Sequence, residues 1–341
     1  MRKKMSALLV GAGGISPSWL KHLVLRNDVE ITAVADPCKD NAMRRIGDFN
    51  LNKAQYFSSI DEALVSGKFD MMFDCSIPSA HYGNALKALA NGCHVLSEKP
   101  ATETTSQLSE IIRAAKKAGK IHAVIQNRRY LDGIITYKDA VEKKLGTLTT
   151  LNADFYIGAH FGGFRDVMKH VLLLDMVIHS FDQARMISGC NPVKVFCKEW
   201  NPTGSWYQQD ASAVAVFTMS NNVVFTYRGS WCSQGCMTSW ECDWRAIGTE
   251  GTARWIGNDI FGETVTHDNN FVNASKPFRP RMKHLKYIGH AGCIDEFIRC
   301  VKNGGVPQTV STDNIYSLAM VEAAVKSAET GKEVVIDIDL D

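Results

Sequence analysis

Three stretches of this 341-residue chain carry side chains whose types and spacing could do chemistry. The first is Gly11-Ala12-Gly13-Gly14-Ile15-Ser16, which follows a short apolar run and opens a helix. Gly11 permits a tight turn. Gly13 lets the backbone approach a pyrophosphate at the helix N-terminus, where free N–H groups and the helix dipole favour negative charge. The third glycine position of such a turn holds Ser16, and Ser16-Pro17 reads as a cap followed by a first helical residue. Asp36 lies 20 residues past Ser16, at the end of the second expected strand. A carboxylate there accepts hydrogen bonds from the adenosine ribose hydroxyls and repels a 2′-phosphate. Pro37 follows with no basic side chain directly beside the acid, so NAD is expected in preference to NADP.

The second stretch comprises two turns, Ser76-Ile77-Pro78-Ser79-Ala80-His81 after an apolar run at 71–75 and Glu98-Lys99-Pro100 after one at 94–97. Ligands of open α/β sheets bind beyond the carboxyl ends of the strands, so both turns are expected to face the cofactor. Lys99 is there either a hydrogen-bond donor beside a nicotinamide or a plain surface lysine. The third stretch puts Asp175 and His179 at i and i+4 inside an apolar segment, which brings both onto one helix face. A core histidine satisfied by a partner explains that spacing. His170, five residues before Asp175, falls poorly on that face, and Cys232, Cys236 and Cys242 lack close metal-ligand pairs. No metal is expected.

These residues need a scaffold. Residues 1–126 alternate apolar runs (7–10, 31–35, 71–75, 94–97, 123–125) with helical stretches (20–26, 80–90, 106–118), and Gly92 and Gly119 stand at helix stops. This is the α/β layout of a doubly wound, parallel-sheet Rossmann domain. A bridging helix over 130–145, closed by Gly146, leads into 127–341, a second α/β domain with a large, mainly antiparallel, open-faced sheet. Its expected strands are 148–156, 193–200, 213–218, 223–228, 239–247 and 252–256, with Asn221-Asn222 making a tight hairpin. Helices are expected over 171–187, 288–301 and 314–329, the second with a core stripe of Ile294, Phe297, Ile298 and Val301.

Composition narrows the partners. Hydrophobic residues make up 45%, charged residues 22%, and the net charge is +2. That balance lacks the basic field that nucleic acid or an anionic membrane would require, and no run approaches a membrane span. The start, Arg2-Lys3-Lys4 followed by apolar residues, imitates a secretory signal but runs straight into the glycine turn, so it reads as a first strand. Ten scattered cysteines then read as reduced thiols of a cytoplasmic protein. The basic stretch 276–286 reads as a solvated loop. Six of the seven tryptophans lie at or beyond position 200, and an open sheet face needs cover, so a homo-oligomer, dimer or tetramer, through that face is expected.

Taken together, the glycine turn, Asp36, the Ser76–His81 turn, Glu98-Lys99-Pro100 and Asp175-x-x-x-His179 resemble the Gfo/Idh/MocA oxidoreductases. The resemblance spans nearly the whole chain, down to Gly248-Thr249-Glu250-Gly251-Thr252 and Ser327-Ala328-Glu329-Thr330-Gly331-Lys332. It implies a nicotinamide cofactor at the strand ends, a sugar or polyol substrate between the domains, and Lys99, Asp175 and His179 as catalytic residues. It also implies cofactor contacts at Gly11, Gly13, Gly14, Ile15, Asp36, Ser76, Pro78, His81, Glu98, Pro100 and Gln126. The family often has Thr-Pro-Asn where this chain has Ser76-Ile77-Pro78-Ser79, which removes the asparagine. Arg128, Arg129, Tyr130, Trp200, Trp206 and Tyr207 are candidates to line the substrate cleft. Glycosidases that retain NAD, and dinucleotide-sensing regulators without catalysis, share the resemblance and stand as alternative functions.

Overall fold

The structure, a computed structural model, describes residues 4–339. Arg2 and Lys3 of the signal-like start lie outside them, and Lys4 leads into strand β1 (Met5–Val10). The chain continues through α1 (Ser16–Leu23), β2 (Val29–Ala35), α2 (Lys39–Asp48), β3 (Gln55–Phe57), α3 (Ile60–Ser66) and β4 (Met71–Asp74). It then forms α4 (Pro78–Ala90), β5 (His94–Ser97), α5 (Thr105–Ala118) and β6 (His122–Val124). The six strands pair in parallel in the order β3-β2-β1-β4-β5-β6, the doubly wound arrangement. All four residues of β4 are buried, as expected of a central strand with both faces covered. Gly92 and Gly119 adopt the left-handed φ values, +83° and +62°, that end helices.

The sequence reading lacked α2, β3 and α3. Only Ala42 of α2 is buried, so its apolar periodicity is too faint to announce a helix. The first helix also begins at Ser16, four residues before the expected start, because Pro17 suits the first turn.

After a short 3₁₀ turn come α6 (Asp132–Lys144), β7 (Leu148–Tyr156), a π-helical turn (Leu172–Met176), α7 (Val177–Ser188), β8 (Pro192–Trp200), β9 (Ser212–Met219) and β10 (Val224–Ser230). Then follow β11 (Asp243–Gly248), β12 (Gly251–Ile256), β13 (Asp259–Val265), β14 (Ser275–Phe278), α8 (His290–Asn303), α9 (Ser311–Thr330) and β15 (Val334–Val335). Nine of these strands form one sheet, β14-β13-β12-β11-β7-β10-β9-β8-β15, antiparallel throughout except for the parallel pair β7 and β10. Asn221 and Asn222 both take φ +59° in the turn between β9 and β10. Strand β11 starts at Asp243 rather than 239, because Ser239 and Cys242 close a turn in which Cys242 has φ +65°.

Alternation sorts the faces of this sheet. Phe217, Phe225 and Trp244 stack inward, and Phe181 of α7 meets the Phe217 ring edge-on at 4.8 Å. Phe196, Val216 and Val224, on the opposite face, stay exposed. The basic stretch is more anchored than a solvated loop: its first residues form β14, Arg279 pairs with Asp259, Lys283 with Asp139 and His284 with Asp132.

Two compact units result. One holds residues 4–127, Lys286–Leu318 and 338–339; the other holds Arg128–Leu285 and Ala319–Asp337. The sequence pattern places a single boundary after residue 126. Helix α8 belongs with the first unit because its apolar stripe docks there: Ile294, Phe297 and Ile298 are buried, Phe297 meets Phe73 of β4 at 6.2 Å, and Asp295 pairs with Arg26. Val301, at the end of the stripe, is only half-buried.

Candidate functional site

In the first unit the expected cofactor residues gather at the carboxyl ends of the parallel strands. Gly11 has φ +83°, and a Cβ there would stand 2.6 Å from the backbone of Cys75 and Ser76, so only glycine lets β1 and β4 end this close together. A Cβ at Gly13 or Gly14 would meet nothing within 4 Å, which leaves the outer side of the turn open to a ligand. The buried Asp36 carboxylate accepts one N–H from Ala12 and one from Cys38, each at 2.7 Å. Lone pairs remain on both oxygens. Ser16 is not the cap. That position belongs to the partly exposed Ile15, and the Ser16 hydroxyl donates instead to the Gly13 carbonyl at 2.8 Å.

The next two turns are tied to each other. Ser76 donates its N–H and hydroxyl to Asp74, whose carboxyl burial pushes above the ordinary range. His81 is fully buried, with Nδ1 2.8 Å from the Pro100 carbonyl and Nε2 3.1 Å from that of Ser76. Both its nitrogens serve the scaffold, so its geometry is that of a clamp between the two turns. Pro78 stands exposed in the first turn of α4.

Glu98 is also committed inward. Its carboxylate accepts from Trp19 Nε1 at 2.8 Å and from the Lys99 N–H at 3.1 Å, and His290 Nε2 lies 3.7 Å away. Burial pushes its pKa up, but the nearby His290, the hydrogen bond from Trp19 and the charge of Lys99 outweigh that, leaving it below the usual carboxylate value. Lys99 and Pro100 themselves are half-buried. Gln126, after β6, is buried with neither amide atom bonded among the described residues, a costly state for a side chain with nothing further to bind. Trp19 and His290 escaped the sequence reading, since no local pattern links position 290 to position 98.

In the second unit Asp175 and His179 straddle a change of helix type. The Val177 N–H bonds the Leu172 carbonyl, five residues back, so Asp175 sits in the π turn and His179 in the α-helix that follows. The regular i, i+4 face expected here is therefore interrupted, and π turns of this kind occur frequently at functional sites. His179 is buried, whereas Asp175 is half-buried and receives Arg165 bidentately, Nε at 2.7 Å and Nη2 at 3.2 Å. Phe161 and Phe164 flank that guanidinium at 5.0 and 4.7 Å. His170 turns elsewhere, its Nδ1 on Glu199.

Several cleft candidates prove to be core. Arg129 is buried in a bidentate pair with Asp182, 2.6 and 2.7 Å, while Tyr130 and Tyr207 are buried as well. Trp200 lies exposed on the terminal residue of β8 and Trp206 stacks on His160. Arg128 contacts the Trp240 carbonyl and Met176.

Comparison with known proteins agrees with this anatomy. Residues 5–126 match the oxidoreductase family with an NAD-binding Rossmann fold, and residues 135–254 match the GFO/IDH/MocA C-terminal domain. A 1,5-anhydro-D-fructose reductase of Ensifer adhaerens is 21% identical, over 97% of this chain and 98% of its own. A D-glucoside 3-dehydrogenase of Escherichia coli is 29% identical over 54% of each chain. The crystal structure of an Agrobacterium radiobacter oxidoreductase in complex with NAD+, L-tartaric acid and magnesium superposes with a TM-score of 0.86 at 18% identity, over 98% of this chain and 99% of that one, a likeness of fold. With both of its domains matched in order, the chain belongs to the GFO/IDH/MocA oxidoreductase family.

Proposed function

We propose that this protein moves a hydride between a hydroxyl-bearing carbon of a sugar or polyol and NAD. The observation that carries the reading is a buried histidine, His179, one turn past a carboxylate that Arg165 grips bidentately. Three features fit the cofactor: the open outer side of Gly13 and Gly14, the spare lone pairs of Asp36, and the unsatisfied Gln126 amide, which complements a carboxamide. Asp36 would take the ribose hydroxyls and favour NAD over NADP. When bound, the nicotinamide supplies the two-electron acceptor for the carbinol hydrogen.

The residues of the chain do the proton work. His179 accepts the proton of the substrate hydroxyl, Asp175 orients His179 or a neighbouring hydroxyl, and Lys99 donates a hydrogen bond to the oxygen as its charge develops. Sugar-acting relatives support a sugar or polyol as substrate. Exposed Phe196, Val216 and Val224 support a homo-oligomer through the open sheet face, and a monomeric mass in light scattering at micromolar concentration would remove that part.

The test is NADH formation by the purified protein across cyclic polyols, free sugars and glycosides. Lys99→Ala and His179→Ala should each lower turnover by ~10²–10⁴-fold. Wild-type turnover in both would discard the assignment, and glycoside cleavage without NADH build-up would transfer it to a glycosidase.

A further inference from the structure

We propose that Arg45, on α2, is a positioning residue of the dinucleotide turn, compensating for the serine that replaces its third glycine. This rests on reading Gly11–Ser16 as the cofactor turn, and on no assignment in the second unit. A glycine in the third position normally lets the helix pack closely on the strand. Ser16 instead brings a hydroxyl into a fully buried position, where it needs partners. It finds two: it donates to the Gly13 carbonyl at 2.8 Å and accepts from Arg45 Nε at 3.1 Å. Arg45 Nη2 also reaches the Gly13 carbonyl, at 3.2 Å, so that one oxygen takes two donors, one of them charged.

The consequence follows from the planarity of the peptide. In a trans peptide the carbonyl of Gly13 and the N–H of Gly14 point in opposite directions. Pinning the carbonyl toward Ser16 and Arg45 aims the Gly14 N–H the other way. That N–H is one of the donors a pyrophosphate needs. Asp36 secures the Gly11–Ala12 peptide, two before this one, through the Ala12 N–H, so a carboxylate and a guanidinium brace the turn from its two ends. The third nitrogen of Arg45 goes to Asp48 at 3.3 Å and the side chain is only 12% exposed, so it acts through the turn rather than by touching the ligand.

The experiment is fluorescence titration of NADH into the full-length chain, with turnover at saturating NAD measured alongside. Arg45→Ala should weaken NADH binding about tenfold, the scale of a charged hydrogen bond, while leaving kcat within about twofold. Arg45→Lys, which keeps the charge but loses the fork, should recover only part of the loss. Ser16→Ala should weaken binding several-fold, and Arg45→Ala added to it should cost clearly less than it does alone, because both act through one carbonyl. Should Arg45→Ala fold poorly, Arg45→Lys and Ser16→Ala carry the same comparison. Binding within twofold of wild type in the Arg45 variants, additive effects of the pair, or a loss confined to kcat would overturn the proposal. A wild-type chain that bound no NADH would overturn the dinucleotide reading along with it, whereas tight binding indifferent to Arg45 would overturn this inference alone.

Discussion

Each unit draws a histidine inward, but surrounds it differently. His122 of the first unit is buried between two hydroxyls, Ser97 Oγ at 3.1 Å and Ser311 Oγ. Neither brings charge, so burial decides, and the imidazole pKa falls to about 3. His170 of the second unit meets Glu199 at 2.5 Å, with Glu329 at 3.4 Å. The hydrogen bond to Glu199 and the charges of both carboxylates outweigh burial, and the histidine pKa rises; the pair holds its proton more tightly than the separated groups would. Hydroxyl partners keep a buried ring neutral, whereas carboxylate partners keep it charged. In the candidate sites charged groups serve both units: Asp36 and Arg45 hold the backbone of the glycine turn in the first, while Asp175 and Asp182 are each held by a guanidinium in the second.

Removing a partner should therefore cost most in the second unit. Asp182→Ala removes a buried carboxylate from beside Arg129 and Arg185, and a loss of about 3–5 kcal/mol is expected there. Denaturant unfolding followed by hydrogen exchange in β7 and β10 checks it; an effect under ~1 kcal/mol would mean the cluster is not truly desolvated.

Acid sharpens the contrast, because the two histidines have opposite signs. Since the folded pKa of His122 lies below its unfolded value of 6.5, its contribution is complete above pH 6.5 and shrinks as pH falls toward 3, at up to ~1.4 kcal/mol per unit. Between pH 6.5 and 5 the first unit should lose about 2 kcal/mol from this residue. The folded pKa of His170 lies above 6.5, so its contribution is complete below that pH and lost as pH rises through the folded value. Hydrogen exchange at pH 5 and 7 should show β4 and β5 weakening in acid while β8 and β9 hold or gain, and parallel behaviour of both sheets would break the comparison. The smallest effect expected is that of Ser97→Ala, about 1–2 kcal/mol in the first unit, because a neutral hydroxyl is all that His122 Nε2 loses. Thermal unfolding of the variant at pH 7 measures it.

Much of the molecule was legible before any contact was known. Strands β4 and β5 are short apolar runs bounded by turn residues, Asn221-Asn222 tolerates left-handed φ, and Gly11 marks a turn where a Cβ cannot fit. Such signals are local, resting on periodicity and on what a single residue's backbone permits. The polar helix α2 and the short strand β3 bury too little to leave that mark.

What the sequence alone determined, then, is the broad plan of strands and helices, the glycine turn with its acid, and which side chains are candidates for the site. Only the tertiary structure decided which partner each one keeps. It sent residues 286–318 back to the first unit, where His290 stands near Glu98, set Arg165 on Asp175, and placed Asp175 in a π turn ahead of the α-helix that carries His179. The physical reason is that a buried polar group must be satisfied by whatever the fold brings within about 3 Å, and a partner 79 positions away along the chain, as Trp19 is from Glu98, leaves no trace in local spacing.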